Sequence, residues 1–407
     1  MISEIKLGGV ALDLDTVEYQ VSVQHGRPDI MSAPQASSAQ IIIRGPVGVA
    51  AEIADTVTIA AYGDPRFTGE ISDVRVTHLS SVPPVALTQI TAMGNLARVG
   101  FVEVGASGFS EQTVSQRVTT VLDATGLDYL NGADTDLVLH QISTGNAQPT
   151  DALSYLQLLA EWTGATYYDD PAGRIVFESY GNRGITAFAG IWSNQTGTWA
   201  DQSGTWDDYP RDRATVDLPP STVVFTPAWS RTRQTILNSV TVVGYSGGGG
   251  GGGGHEETAS DSASIAAYGL KEFRLETEIK NNSDVLARAG GIITAQANPL
   301  WSLGEISIYV HQLETLDRDR ILSLVSGMAI ALRDLPQPAP LGNFLGIVEG
   351  WGEVYSPGQH VLTLSVSDPR YSFQTVTWDE VDPVLEWGDV PADLQWYEII
   401  TGNDLAA

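Results

Sequence analysis

Between residues 17 and 104 the chain is a succession of short apolar or alternating runs: VEYQVSVQHG, SAQIIIRG, DTVTIAAYG, FTGEISDVRVTHL and VALTQITAMG. Gly, Pro, Asn and Asp separate them. Runs of this length with turn residues between them predict strands, and their spacing suits a small barrel or sandwich. The period changes at Ser110. Val114, Val118, Val121 and Leu122 fall at helical spacing, with Ser110 placed to cap the first turn and Gly126 to end the last. A second helix is predicted with Thr150 as cap, Leu153, Leu156, Leu159 and Ala160 as its apolar side, and Gly164 as its stop. ATYYDD, the turn Asp170-Pro171-Ala172-Gly173 and RIVFESY then predict a hairpin. The expected fold is mainly β with an α+β insert.

Strand character returns after residue 221, and with it a weak internal repeat. Thr58-Ile59-Ala60-Ala61 leads through Asp64-Pro65 to Phe67-Thr68-Gly69-Glu70-Ile71, then past Pro83-Pro84 to Leu87-Thr88-Gln89-Ile90. Ala329-Ile330-Ala331-Leu332 leads through Asp334-Leu335-Pro336 to Phe344-Leu345-Gly346-Ile347-Val348, then past Pro357 to Leu362-Thr363-Leu364-Ser365-Val366. The shared F-x-G-x-[IV] element, carried by Phe67, Gly69, Phe344 and Gly346, predicts one β module present twice.

The stretches between and after these modules differ in kind. Trp192, Trp199 and Trp206 recur every seven residues, an odd period that a continuous strand would send to alternate faces, so broken short strands and a connector or interaction role are expected at 185–220. Gly247 to Gly254 form an uninterrupted tract that reads as an exposed loop, its ends roughly 15 Å apart by random-coil scaling. KEFRLETEI predicts a strand. Ser283 is placed to cap a helix carrying Val285, Ala289 and Ile292 before Asn298-Pro299. In the acidic stretch 374–407, Trp378, Trp387 and Trp396 recur every nine residues as candidate anchors for a docking partner. The expected division is 1–104, 105–184, 185–220, 221–373 and 374–407.

Charge and residue types narrow the function. With 49 Asp plus Glu against 21 Lys plus Arg the formal charge is −28, which opposes gripping or reading nucleic acid. An acidic residue sits in MISEIKLGG where a signal peptide needs a basic one, and the run from Ile321 to Leu332 is too short to cross a bilayer, so a soluble chain made in a cytoplasm is expected. There is no cysteine, hence no thiol nucleophile. Gly244-Tyr245-Ser246-Gly247-Gly248 matches G-x-S-x-G, but a nucleophile elbow needs a helix after the serine, and glycines cannot supply one. The same tract satisfies G-x-G-x-x-G without a helix N-terminus to hold a pyrophosphate. His255-Glu256-Glu257 has no second histidine nearby to complete a metal site. Asp169 with Asp170, and Asp207 with Asp208, are paired acids of the kind that flank a glycosidic bond, yet adjacent acids point apart in extended chain and read as turn and surface residues. No catalytic, cofactor or metal residue is expected.

These elements together resemble the tail hub, or baseplate hub, proteins of tailed bacteriophages, a minor tail protein family. The resemblance rests on VEYQVSVQHGRPDIMSAPQASSAQIIIRG, the paired F-x-G elements, DALSYLQLLAEWTGATYYDDPAGRIVFES, and YGLKEFRLETEI followed by a capped helix ending at ANPLW. It implies two tail-tube-like β-barrel domains per chain and a homotrimer at the distal tail tip of the virion, assembled in the host cytoplasm. Its implied neighbours are distal tail and tail tube proteins, the tape measure protein, and tail-tip or fibre proteins. DNA would pass through the channel without specific binding. The alternative from another class, suggested by the Trp and acid content, is a carbohydrate-binding or cell-wall-degrading tail-tip protein.

Overall fold

The computed structural model describes residues 2–30, 32–45, 51–81, 84–144, 148–179, 216–218, 223–224, 229–245, 254–332 and 344–368. Besides a two-residue strand at Val10–Ala11, six strands open the chain: β1 (Ile2–Leu7), β2 (Glu18–Gly26), β3 (Ser38–Gly45), β4 (Thr56–Ala61), β5 (Asp64–Ser81) and β6 (Pro84–Gly94). That short strand pairs with β1 and is the thirteenth strand of the large sheet. Their period-two pattern sorts the side chains. In β3, Ala39, Ile41 and Ile43 point into a core shared with Val21, Val23, Ile59, Phe67, Ile71 and Ile90, each buried apolar side chain contributing about 1.5–3 kcal/mol. The sequence pattern did not predict β1, which pairs with β4.

Six further strands build a second β unit: β9 (Val216–Leu218), β10 (Val223–Val224), β14 (Ile306–Tyr309), β15 (Ala329–Leu332), β16 (Phe344–Ser356) and β17 (Gln359–Ser367). Both units belong to one 13-stranded sheet. The first unit runs β2-β3-β6-β5-β4-β1 across the sheet and the second runs β10-β14-β17-β16-β15-β9, so strands used in the same chain order occupy the same places. They join where β16 pairs with β2. The units differ at one end: β1 is antiparallel to β4, whereas β9 is parallel to β15.

The F-x-G element has the same geometry in both. The Phe67 and Phe344 rings are buried, and a Cβ placed on the glycine two residues on would lie 2.7 Å from Phe67 Cζ or 2.8 Å from Phe344 Cε1, so only glycine lets the ring fold back over the strand. Five residues beyond each Phe the strand bulges, at Ser72 between Ile71 and Asp73 and at Glu349 between Val348 and Gly350. One detail of the sequence alignment shifts. Phe67 faces Ile59 and Phe344 faces Leu332, so Ile59 corresponds to Leu332 and not to Ile330; a slip of two residues preserves the face and was therefore invisible to periodicity.

The α+β insert begins with the short helix α1 (Leu96–Val99) and continues with α2 (Val114–Asp123), α3 (Ala152–Thr163) and the hairpin β7 (Thr166–Asp169) to β8 (Ile175–Glu178). The caps differ from expectation. Thr113, not Ser110, caps α2 in a reciprocal capping box with Gln116, and Asp151, not Thr150, caps α3 by accepting from Ser154 N. Gly164 ends α3 in the left-handed conformation, as expected. Between β10 and β14 the chain forms β11 (Ser239–Gly244), β12 (His255–Ser260), α4 (Ser262–Tyr268), β13 (Glu272–Glu276) and α5 (Asn282–Gln296); α6 (Thr315–Leu322) follows β14. Asn281, not Ser283, is the N-cap residue of α5. Val240, Val242, Leu275, Val285, Ala289 and Ile292 from this stretch share a core with Val118, Leu122, Leu156 and Leu159 of the insert, so the two inserted segments pack as one body. The glycine tract lies in the chain between β11 and β12, whose Gly244 and His255 face each other; Gly247 to Gly253 lie outside the described residues. Among the described residues no helix is long and apolar enough to cross a membrane.

Candidate functional site at the junction of the β units

Three buried polar clusters fasten the place where β16 meets β2. At the centre, Arg66 on β5 reaches Glu353 on β16; their side chains are 2% and 0% exposed. Arg66 donates from Nη2 to Glu353 Oε1 at 2.5 Å and from Nε at 3.0 Å, and from Nη1 to the Leu322 carbonyl at 2.6 Å. Trp351 Nε1 donates to Oε1 at 2.9 Å, and the Tyr355 hydroxyl and His360 Nε2 donate to Oε2, the latter at 3.0 Å. The strand geometry explains the convergence: Trp351, Glu353 and Tyr355 alternate on one face of β16. Burial pushes the Glu353 carboxyl up, but the Arg66 guanidinium and the His360 hydrogen bond outweigh it and hold the group well below the usual carboxylate range. Burial lowers His360, which agrees with a neutral ring that donates from Nε2 and leaves Nδ1 without a partner.

The second cluster is Arg27 with Glu349, the bulge residue of β16. Arg27 Nε donates to Glu349 Oε2 at 2.7 Å and Nη2 lies 2.6 Å from the same oxygen, while the Ser367 hydroxyl donates to Oε1. Here the backbones also close in: a Cβ on Gly350 would fall 2.4 Å from the His25 carbonyl, and one on Gly26 2.4 Å from the Glu349 carbonyl. Glycine on both sides is what allows the strands to start pairing at the bulge.

The third cluster ties the α+β insert to the sheet. Asp169 Oδ1 accepts from Ser37 N at 2.9 Å and Ser37 Oγ at 2.6 Å, and Oδ2 accepts from Leu96 N at 3.2 Å. Ser37 Oγ is also 2.6 Å from His25 Nδ1, and His25 stacks on Trp351 with ring centroids 4.5 Å apart. Serine, histidine and aspartate within hydrogen-bond reach invite comparison with a hydrolytic triad, but the order is wrong. The serine bridges the other two, and His25 Nε2 donates to the Arg66 carbonyl at 2.8 Å, leaving no orienting carboxylate on that nitrogen. Burial, opposed by Asp169 and Glu353, lowers His25, which favours the neutral ring; the single Ser37 hydroxyl hydrogen, 2.6 Å from both Asp169 Oδ1 and His25 Nδ1, then serves one acceptor at a time. Ser37 and Asp169 are 2% and 1% exposed, closed to a substrate. What this arrangement does chemically is hold three pieces of chain in register.

The sequence-predicted residues fall as follows. Phe67, Gly69, Phe344 and Gly346 line the cores beside this junction. Trp192, Trp199, Trp206, Trp378, Trp387, Trp396, Asp207, Asp208, Ser246 and Gly247 to Gly253 lie outside the described residues. Asp169 and Asp170 are not the surface pair expected. Both are buried because Asp169 faces Ser37 and Asp170 closes its own turn, accepting from Arg174 N at 2.9 Å and pairing with its guanidinium. Glu256 pairs with Arg274, and Glu257 accepts from Asn282; among the described residues no group of three acidic or histidine side chains is placed to hold a metal. The junction itself was missed. The local signal was Glu353 at an inward position between Trp351 and Tyr355, a charge where a strand's buried face should be apolar.

No family model matches the sequence, and no curated protein matches it significantly. Solved structures do. The chain is similar to the 43 kDa tail protein of prophage MuSo2 from Shewanella oneidensis, with a TM-score of 0.59 at 12% identity over 92% of this chain and 100% of that one. It is similar to the tail protein from Neisseria meningitidis, TM-score 0.58 at 12% identity over 91% and 97%, and to prophage tail protein gp18 from Listeria monocytogenes, 0.51 at 10% over 89% and 93%. The fold of this chain is that of prophage tail proteins.

Proposed function

We propose that this chain is a structural protein of a bacteriophage tail, a hub of three copies at the distal end that closes the tail tube, adapts sixfold to threefold symmetry, and carries tail-tip or fibre proteins around a DNA-conducting channel. The observation that carries this reading is the use of six strands in one order twice within a single chain, so that three copies offer six equivalent units. Similarity in fold to three prophage tail proteins supports the setting. The division at residues 104, 184, 220 and 373 goes with it, as do docking roles for the Trp repeats. The acidity fits a conduit: three copies carry −84 formally, three times −28, and carboxylates facing a lumen repel passing phosphates. The reading is non-enzymatic, and its work is assembly; the wall-degrading alternative loses Asp169 and Asp170, which are committed to buried structural contacts. Imaging of assembled tail tips is the test. Threefold density for this chain beneath a sixfold tube supports the hub, and a single copy with lytic activity refutes it.

A further inference from the structure

A cavity of about 370 Å³ lies where α3, α5 and the chain between β2 and β3 meet. Its apolar lining includes Ala160 and Ala165 at the C-terminal end of α3, and Ile292 and Ala295 on one face of α5, all buried. These residues are small, and Gly164 and Gly291 beside them carry no side chain, so the two helices leave the space open. Its polar groups point to an occupant. Gln296, on the same lining, has its Oε1 buried with no hydrogen-bond partner among the described residues. Arg27 and Arg288 stand there with the acid Glu161, whose backbone carbonyl accepts from Arg288 Nη2 at 2.9 Å. A buried acceptor without a donor is unfavourable, so the cavity suits a flat apolar group that carries one N–H donor and has negative charge beside it. Tryptophan followed by acids meets all three conditions, because the indole Nε1 is a donor only.

The chain itself supplies such a group. Residues 374–407 hold eight Asp plus Glu and no Lys or Arg, and their first Trp stands in Trp378-Asp379-Glu380. The described chain ends at Asp368, next to Ser367. The Ser367 hydroxyl donates to Glu349, Glu349 accepts from Arg27, and Arg27 lines the cavity. Two side-chain contacts therefore separate the exit of the chain from the cavity, and the ten residues from Asp368 to Trp378 reach up to about 33 Å when extended. A short tether that still spans its gap gives the highest effective concentration, which favours Trp378 over Trp387 and Trp396.

We propose that Trp378 docks in this cavity of its own chain, its indole against Ala160, Ile292 and Ala295, its Nε1 donating to Gln296 Oε1, and Asp379 and Glu380 beside Arg288. Docking holds the acidic stretch against α3 and α5, and it requires no second copy. The proposal names the surface that one Trp occupies and stands apart from the hub reading.

The chain has no cysteine, so engineered pairs report cleanly. Gln157 and Ala33 line the cavity and are exposed. In the full-length protein, Gln157→Cys or Ala33→Cys is combined in turn with Thr377→Cys, Glu386→Cys, Gln395→Cys or Thr198→Cys, each the residue before a Trp, and oxidised at high dilution. With at least one of the two cavity positions, Thr377→Cys is expected to link within a single chain about tenfold faster than the other three. Adding Trp378→Ala is expected to slow that link by about tenfold, and Trp378→Phe, which keeps a ring but loses the N–H, by less. Faster linking through Glu386→Cys, Gln395→Cys or Thr198→Cys overturns the proposal, as do links formed between chains or a rate indifferent to Trp378→Ala. None of these results alters the expected threefold density at the tail tip, so the hub reading stands or falls by imaging alone.

Discussion

β5 and β16 begin alike and end in opposite surroundings. Each opens with a buried Phe over a Gly, bulges five residues later, and turns back along a hairpin partner. Beyond the bulge, β16 places Trp351, Glu353 and Tyr355 against the first unit, whereas the matching positions of β5, Val74, Val76 and His78, form no such junction. Similar backbones have therefore been given different side chains by what they meet. A covered half can hold a charged, fully hydrogen-bonded cluster that fixes register, since a buried carboxylate is tolerable only when its partners are complete.

The largest test of that contrast is Glu353→Ala set beside Val76→Ala. Removing Glu353 strands Arg66, Trp351 Nε1 and His360 Nε2 in the interior, an expected loss of about 3–5 kcal/mol by denaturant unfolding. The equivalent change on β5 should stay within about 0.5 kcal/mol. Acid supplies the same contrast without mutation. Because Glu353 is held low in the folded chain, its contribution is present above the ordinary carboxylate range and fades as pH falls below it, a fade that the Glu353→Ala protein should lack. Equal losses for the two alanine variants would mean that the cluster fixes nothing.

What the sequence made legible was whatever is written locally. β3 emerged with both ends correct because SAQIIIRG is a short β-branched run that stops at glycine, and the hairpin of β7 and β8 was announced by Asp170-Pro171-Ala172-Gly173. The helix caps went astray by one to three residues because Ser110, Thr113, Thr150 and Asp151 are all competent caps, and only the packed chain chooses among them. The junction was illegible for a different reason. Arg66 and Glu353 are 287 residues apart, and Ser37 and Asp169 are 132 apart, so no periodicity or spacing relates them. Packing of β11, β12 and α5 against the earlier insert was hidden likewise, since an amphipathic element does not name the surface it covers.

The glycines of the two F-x-G elements offer a smaller test, one that probes where the strands still agree. Gly69→Ala places a methyl 2.3 Å from the Met93 carbonyl as well as against the Phe67 ring, and backbone cannot give way cheaply. Gly346→Ala meets the Phe344 ring at 2.8 Å and Val366 Cβ at 3.3 Å, where a ring can tilt. Both should cost about 1–3 kcal/mol, with Gly69 at the upper end, read as a fall in melting temperature. Phe344→Leu in the Gly346→Ala background should recover part of the loss. If either glycine accepts alanine without cost, the two elements do not share the geometry that links them.

The smallest effect asks how far the completeness of partners governs the junction, using a half-buried carboxylate elsewhere that lacks them. Glu278 also lies beside a buried arginine, but its contact with Arg117 Nη1 is long, at 3.4 Å, and that guanidinium already donates to the Tyr155 hydroxyl and to the Ser110 and His140 carbonyls. Burial pushes Glu278 up to about 7 despite Arg117, the reverse of Glu353. A raised carboxyl binds its proton more tightly in the folded chain, so ionising it opposes folding. The penalty is absent below about pH 4.5, grows towards about 7 and is complete above it. Glu278→Gln should therefore leave stability unchanged in acid and raise it by the order of 1 kcal/mol at alkaline pH, in urea titrations run across that window. A variant that follows the parent protein at every pH would show that Glu278 is better partnered than its geometry allows. The contrast with Glu353 would then reflect burial alone and not the six hydrogen-bond contacts that Arg66, Trp351, Tyr355 and His360 make around that carboxylate.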